Sequence, residues 1–128
     1  MKTLENKQTV LKYFETHDTK YLSEDTVFIN MNTNELTIGR EAVGNMLNYM
    51  YHVAFEAHAE ITNTIICDDK AVLEANFKGK HIGEFAGIPA THKDVNVPLC
   101  VTYDIEDGFI KVARVYMLSS VLEQQLAS

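Results

Sequence analysis

The chain contains 128 residues, of which 46% are hydrophobic and 23% are charged, and it carries a formal net charge of -7 at pH 7. This length predicts one domain over residues 1–128, large enough to bury roughly two-thirds of the surface that the unfolded chain exposes. The negative charge argues against nucleic acid and anionic membrane surfaces as partners, because both bind to basic patches.

Two features predict the cellular compartment. The stretch over 1–17 alternates charged with apolar residues and lacks the uninterrupted apolar core of a secretory signal, and no segment is long enough to span a bilayer. Cys67 and Cys100 belong to no CxxC pattern, which favours two reduced thiols over a disulfide or a structural zinc site. We therefore expect a cytoplasmic protein.

The first half of the chain predicts a helix, a hairpin and a second helix. An apolar stripe at helical spacing runs from an N-cap at Thr3 to about Thr16. Strands over 21–30 and 35–38 flank the polar turn MNTN, which predicts a short hairpin. From Gly39 the helical spacing returns and ends near 52–54, and the apolar face of this helix carries Val43, Met46, Leu47, Met50 and Ala54.

The second half predicts four long strands and a short closing helix. Apolar residues alternate with polar ones over 55–65, 71–83, 95–105 and 109–118. Pro98 predicts an edge position or a bulge for the third strand, because proline cannot donate to a ladder. Asp107 and Gly108 give a strong hairpin signal, and a capping-box pattern begins the last helix at Ser120. A curved antiparallel meander of this kind can wrap around helices and leave a cavity, so the predicted fold class is α+β.

His81 lies among apolar residues on the buried face of its predicted strand. Gly79 and Gly83 flank it, and glycines inside a strand mark a bend, a bulge or the close approach of a ligand or another backbone. A buried imidazole can act as a base or hold a ligand. It can equally be a core histidine bonded to a backbone carbonyl or to tyrosine, and the sequence leaves both interpretations open.

Arg114 falls with Tyr116 and Leu118 on the even positions of the last strand, a face that the pattern predicts to be buried. An unpaired guanidinium would be costly there. A structural ion pair with Asp25 or Glu41 is therefore favoured over a clamp for an anionic substrate.

Aromatic and imidazole groups supply the candidate polar contacts of a cavity. They are Tyr13, His17, Tyr49, Tyr103 and Tyr116. His52, His58 and His92 show no spacing typical of metal ligands, so we expect no metal. We also expect no cofactor of the dinucleotide type, because the glycines at 79, 83 and 87 are not followed by a helix.

Five segments resemble the SnoaL-like polyketide cyclase or ester cyclase family, within the NTF2-like superfamily. They are 23–28 (SEDTVF), 39–43 (GREAV), 83–91 (GEFAGIPAT), 103–108 (YDIEDG) and 125–126 (QL). The resemblance covers nearly the whole chain, and its third segment is the most specific. It implies a cone-shaped fold in which a curved antiparallel sheet wraps around N-terminal helices, and a pocket for a fused-ring or other apolar molecule.

The resemblance also implies a mechanism that this chain cannot copy. In the true cyclases an aspartate acts as acid and base in an aldol-type ring closure without a cofactor. It lies ten residues after the glycine of the DG turn, a position that Leu118 holds here. A leucine cannot move a proton. His92 also replaces a glycine that the family usually has.

Two functions follow as hypotheses. The first is a small-molecule binding protein whose apolar cavity is lined by Tyr13, His17, Met46, Tyr49, Met50, Phe77, Val101, Tyr103, Tyr116 and Leu118. The second is a cofactor-independent isomerase, cyclase or lyase with His81 or Asp25 as its base, in which Arg114 or a tyrosine stabilises an enolate. An interaction module without a ligand ranks behind both. A homodimer formed through the outer face of the sheet is compatible with each of them and is expected.

Overall fold

The computed structural model describes residues 2–127 as three helices and a six-stranded sheet. The elements in chain order are α1 (Lys2–Thr16), β1 (Leu22–Asn30), β2 (Glu35–Ile38), α2 (Arg40–Asn48), β3 (Phe55–Ile66), β4 (Lys70–His81), β5 (Asp94–Glu106), β6 (Phe109–Met117) and α3 (Ser119–Ala127). A 3-10 turn over Thr19–Tyr21 precedes β1, and a π-helical turn over Tyr49–Val53 extends α2. The predicted α+β class and order of elements are confirmed. The predicted N-cap of Thr3 lies outside the described side chains.

The sheet is mixed and open, with the strand order β2-β1-β6-β5-β4-β3. Strands β3 to β6 form the predicted antiparallel meander, and β1 and β2 form the predicted hairpin. Strand β1 joins the meander by parallel pairing with β6, with Phe28 opposite Ala113. This parallel pair was not predicted, because five elements separate β1 from β6 and no local pattern records their pairing. Among the described helices, none is long and apolar enough to cross a membrane.

The concave face of the sheet is apolar and packs against the helices. As predicted, alternating residues of β4 and β5 supply most of it, namely Ala71, Leu73, Ala75, Phe77, Val95, Val97, Leu99, Val101 and Tyr103. The helices contribute the buried residues Val10, Tyr13, Phe14, Val43, Leu47, Leu122 and Leu126 to the same cluster. Burying a large apolar side chain stabilises a fold by about 1.5–3 kcal/mol, so this cluster holds the helices on the sheet.

A bulge in β6 sets the faces of its side chains. Ile105 pairs with Ile110, whereas Asp104 pairs with Val112, which leaves Lys111 as an extra residue in the ladder. Because side chains alternate between the two faces of a strand, one extra residue moves every later position to the opposite face.

The bulge reverses the predicted orientation of the end of β6. Ala113 is buried in the core, and the next inward positions are Val115 and Met117, whereas the even positions of this strand were predicted to be buried. Tyr116 and Leu118 are 43% and 51% exposed, so their predicted burial is wrong.

Pro98 lies in a central strand, and the predicted edge position or bulge is wrong. Strand β5 runs between β4 and β6, and Pro98 pairs with Asn76 of β4. Its carbonyl accepts a hydrogen bond from the Leu118 amide at 3.2 Å, one residue beyond the end of β6. In an antiparallel ladder the amide and the carbonyl of one residue point to the same neighbour. The missing N–H of Pro98 therefore points to where β6 has ended, and no ladder bond is lost.

The π-helical turn changes which side chains of the second helix face the sheet. The amide of Ala54 donates to the carbonyl of Tyr49 at 2.7 Å, the five-residue bond that defines such a turn. Each residue of a π-helix rotates the chain less than in an α-helix. Tyr51 consequently stays on the buried face that Val43 and Leu47 begin, whereas Tyr49 is 40% exposed.

Candidate functional site

A cavity of about 330 Å³ lies between the concave face of the sheet and the three helices. Its walls are formed by Phe14, Phe28, Ile29, Met46, Leu47, Met50, Phe77, Phe85, Leu99, Val101, Val115, Met117 and Leu122. Its polar residues are Tyr13, His17, Asn30, Asn32, Glu35, Thr37, Tyr51, Tyr103 and Ser119. A mostly apolar cleft with a few polar groups is the usual form of a small-molecule site.

Two hollows of larger volume lie elsewhere on the protein. One, of about 690 Å³, adjoins the β5–β6 turn and is lined chiefly by charged residues, and the other, of about 620 Å³, adjoins the start of α2. Neither has the aromatic and aliphatic walls of the cavity between sheet and helices. That cavity is therefore the candidate site.

Seven of the ten residues predicted to contact a ligand line this cavity: Tyr13, His17, Met46, Met50, Phe77, Val101 and Tyr103. Tyr49, Tyr116 and Leu118 lie outside its lining. The bulge at Lys111 turns Tyr116 and Leu118 outward. Tyr49 is 40% exposed, and its hydroxyl donates to the carbonyl of Glu84.

Three tyrosines bring phenol groups to the cavity from three different elements. Tyr13 lies on α1, Tyr51 on the π-helical turn and Tyr103 on β5, and all three are buried. Burial raises the pKa of Tyr13 and of Tyr103 well above the usual value, and it raises the pKa of Tyr51 to about 12. All three phenols therefore remain protonated hydrogen-bond donors at neutral pH.

His17 directly follows α1 and lines the cavity. Its φ of +54° lies in the left-handed region that glycine or asparagine usually occupies after a helix, and its amide donates to the Tyr13 carbonyl at 2.6 Å. Its ring centroid lies 4.3 Å from that of Tyr51. Burial, together with the charge of nearby His52, lowers the pKa of His17 to about 4. The imidazole is thus neutral at pH 7.

His81 is fully buried, yet it lies outside the cavity lining. Its Nδ1 accepts a hydrogen bond from the Thr91 amide at 3.1 Å and lies 2.9 Å from the Thr91 hydroxyl oxygen. Its ring also packs on Phe55, with the centroids 5.1 Å apart. These contacts are those of a core histidine, with Thr91 in place of the backbone carbonyl or tyrosine that was predicted as its partner.

The loop over 82–93, which His81 anchors, forms part of the cavity wall. Backbone hydrogen bonds of His81 to residues 92 and 93 close the loop. Phe85 within the loop lines the cavity and packs on Phe55, with the ring centroids 5.2 Å apart. His92 has φ +59°, a conformation that glycine adopts without strain, which accounts physically for the glycine of the family pattern.

The glycines beside His81 mark the close approach of another backbone. A Cβ at Gly79 would lie 2.3 Å from the carbonyl oxygen of Glu56, and one at Gly83 would lie 2.3 Å from that of Val53. Of the alternatives that the sequence left open, backbone proximity is confirmed at both positions.

Arg114 lies on the outer face of the sheet. Its Nη1 and Nη2 donate to Oδ1 and Oδ2 of Asp104, each at 3.2 Å, and the predicted partners Asp25 and Glu41 are wrong. Partial burial opposes ionisation of Asp104, but hydrogen bonds from Arg114 and Lys70 outweigh it and lower the pKa of that carboxyl. Arg114 is therefore part of a structural ion pair on the face of the sheet opposite the cavity.

Asp25 is exposed on β1 and also lies outside the cavity lining. It forms an ion pair with Lys111, the bulge residue of β6. The hydrogen bond from Lys111, with a second from Ser23, lowers the pKa of Asp25. The structure thus brings none of His81, Arg114 and Asp25 to the cavity.

Several cavity residues were missed by sequence reasoning. Tyr51 was missed because a regular α-helix would place it off the apolar face, and no sequence signal marked the π-helical turn. In the strand register, Glu35 of β2 lies opposite Asn30 of β1, and Asn30 lies opposite Val115 of β6. The hairpin itself was predicted, but its place beside β6 was not. Within residues 2–127, no group of three or more His, Cys, Asp or Glu side chains is arranged to hold a metal ion.

An open, curved sheet that encloses an apolar cavity with three helices defines the class: a cone-shaped α+β protein. The sequence profile of the SnoaL-like polyketide cyclase family matches residues 9–126. The match spans most of the chain, which therefore belongs to the SnoaL-like polyketide cyclase family. No curated protein matches the chain significantly in sequence.

Solved structures share this fold. A putative SnoaL-like polyketide cyclase from Jannaschia sp. CCS1 aligns with a TM-score of 0.89 at 18% identity, covering 99% of this chain and 94% of its own. A putative polyketide cyclase from Xanthomonas campestris pv. campestris aligns with a TM-score of 0.85 at 18% identity, covering 98% of this chain and 99% of its own. A phenazine biosynthesis-related protein from Pseudomonas aeruginosa aligns with a TM-score of 0.82 at 19% identity, covering 98% of this chain and 86% of its own. At these identities the likeness establishes the fold alone.

Proposed function

We propose that this protein binds a small, largely apolar cyclic molecule in the cavity between its sheet and its helices. The observation that carries the proposal is the cavity lining, in which aromatic and aliphatic side chains surround three phenol groups. Its volume of about 330 Å³ falls at the lower end of the range for ligand pockets and suits a molecule of two or three rings.

The placement of acids and bases favours binding over the cyclase reaction of the family. Leu118, which holds the position expected for the family's aspartate, and His81 both lie outside the cavity lining. His17 does line the cavity, but its pKa of about 4 makes it a weak base at neutral pH. Glu35 is the one carboxylate of the lining among the described residues, and it is exposed at the start of β2.

Filling the cavity tests the proposal. Val115→Phe places a larger side chain inside the cavity, whereas Val112→Phe makes the same change on the outer side of the same strand. We expect wild-type protein to bind the bicyclic ketone 1-tetralone with a Kd on the order of 100 µM, measured by isothermal titration calorimetry. Val115→Phe should weaken binding at least tenfold, and Val112→Phe should change it less than twofold. Equal effects of the two variants, or no binding by the wild type, would reject the proposal.

We also propose that the protein is a cytoplasmic homodimer that pairs through the outer face of the sheet. Exposed apolar side chains on that face, such as Tyr116 and Ile65, support the pairing. Cys67 and Cys100 are both free thiols, as is usual in a reducing compartment. Sedimentation equilibrium at micromolar concentration measures the pairing directly, and a mass of one chain would reject it.

A further inference from the structure

The polar side chains that line the cavity are nearly all uncharged. Tyr13, Tyr51 and Tyr103 offer phenol hydroxyls, and His17 offers an uncharged imidazole. Among the described residues, no lysine or arginine lines the cavity, and its one formal charge is the carboxylate of Glu35. A ligand in this cavity therefore meets neutral donors and a single negative charge.

These four rings form a continuous row across the cavity. The centroid of Tyr13 lies 6.1 Å from that of Tyr103 and 5.7 Å from that of His17, and the next step, from His17 to Tyr51, is 4.3 Å. After burial itself, Tyr13 and Tyr51 are the main neighbours that oppose ionisation of Tyr103. The three tyrosines thus lie in one continuous part of the cavity lining.

The three hydroxyls are also available to a ligand. In the described part of the chain, Tyr49 is the one tyrosine whose hydroxyl donates a hydrogen bond to another residue. The side-chain atoms that are fully enclosed without a partner are the hydroxyl oxygen of Ser23 and Nε2 of His81, so the cavity hydroxyls are not sealed within the packing. A hydrogen-bond acceptor in the cavity could therefore be reached by each of them.

We infer that the cavity selects uncharged cyclic molecules that carry a carbonyl or similar acceptor oxygen, that the hydroxyls of Tyr13, Tyr51 and Tyr103 recognise this oxygen, and that anions are rejected. This inference rests on the proposed function and narrows its ligand class. A buried phenol that donates to a ketone adds a hydrogen bond to the apolar contacts. A carboxylate would lose its hydration with no cation to replace it, and Glu35 would repel it.

Three bicyclic probes of similar size separate the contributions of apolar contact, of a hydrogen-bond acceptor and of negative charge. Tetralin carries no oxygen, 1-tetralone carries a ketone and 1-naphthoate carries a carboxylate. In calorimetric titrations at pH 7, wild-type protein should bind 1-tetralone about fivefold more tightly than tetralin, the effect of about one net hydrogen bond. It should bind 1-naphthoate at least tenfold more weakly than 1-tetralone.

Tyrosine-to-phenylalanine variants assign the preference to named hydroxyls. In the triple variant Tyr13→Phe, Tyr51→Phe, Tyr103→Phe, the ratio of 1-tetralone to tetralin affinity should fall from about five to about one. Tyr116→Phe makes the same change on the outer face and should retain the wild-type ratio. Circular dichroism checks folding, and if the triple variant does not fold, Tyr103→Phe alone should lower the ratio.

The outcomes separate this inference from the proposed function. Binding of 1-naphthoate as tight as that of 1-tetralone, or a wild-type preference for the ketone that survives in the folded triple variant, would overturn the inference. Tetralin binding would still support an apolar site in either case. If none of the three probes binds, the proposed function and the inference both fail.

Discussion

His17 combines backbone strain with altered protonation at a single residue. A residue other than glycine at φ +54° costs on the order of 1 kcal/mol, and strain of this kind is often found at functional sites. The conformation lets the chain leave α1 while the imidazole enters the cavity beside Tyr51. The burial that places this ring in the cavity lining also makes its protonation unfavourable.

This coupling predicts a loss of stability in mild acid. Because the pKa of His17 is 6.5 when the chain is unfolded and about 4 when it is folded, the unfolded state binds more protons between these values. The free energy of unfolding should therefore fall as pH falls through this range, and His17 alone should account for about 2 kcal/mol between pH 7 and pH 4.5. Urea unfolding at the two pH values measures this difference in the free energy of unfolding.

A matched pair of variants isolates the contribution of His17. His17→Asn removes the titrating group and keeps a residue that tolerates a positive φ, so the pH dependence should be smaller by about 2 kcal/mol. His58→Asn, at an exposed histidine, should retain the wild-type dependence. A His17→Asn protein with an unchanged pH dependence would contradict the low pKa.

At the scale of elements, α3 begins without a capping side chain. The carbonyl of Leu118 accepts hydrogen bonds from the amides of Val121 at 3.0 Å and Leu122 at 3.2 Å, which makes Leu118 the N-cap residue of α3. Leucine cannot accept from the free amides of the first turn, whereas aspartate can. Residue 118, where the spacing from the turn glycine predicts the family's aspartate, is therefore a helix cap in this chain.

Leu118→Asp should stabilise the protein and leave ligand binding unchanged. The new carboxylate caps α3 and faces the positive end of its dipole, which should raise the free energy of unfolding by about 1 kcal/mol. Affinity for 1-tetralone should stay within twofold of the wild type, because residue 118 lies outside the cavity lining. Thermal unfolding and calorimetry measure the two effects, and Leu118→Asn serves as the uncharged cap. A lower melting temperature, or new ring-closing activity on a polyketide ester, would contradict this account.

Elements were predictable from the sequence where the local pattern is regular. The alternation along β4 and β5 correctly placed Phe77, His81 and Tyr103 on the buried face. The pattern failed where one residue is added, since the bulge at Lys111 and the π-helical turn each change the faces of the residues that follow. Neither irregularity has a local composition signal.

At the scale of the whole molecule, the site depends on pairings that are distant in the chain. The parallel pairing of β1 with β6 brings Phe28 and Asn30 to the cavity, and the loop held by His81 brings Phe85. Resemblance to the family predicted the cone and the presence of a pocket, whereas composition and periodicity alone supported only the α+β class. Sequence reasoning named Tyr13, His17 and Tyr103 among the polar groups of the cavity, whereas Tyr51 required the coordinates because it lies on the π-helical turn.

The methionines provide the most direct test of the central claim that this cavity is the ligand site. Met46, Met50 and Met117 line the cavity, whereas Met31 lies outside its lining and serves as an internal control. With methionine methyl groups labelled with carbon-13, titration of 1-tetralone should shift the NMR signals of the three cavity methionines and leave that of Met31 in place. Unchanged signals at all four residues, or a shift confined to Met31, would contradict the account.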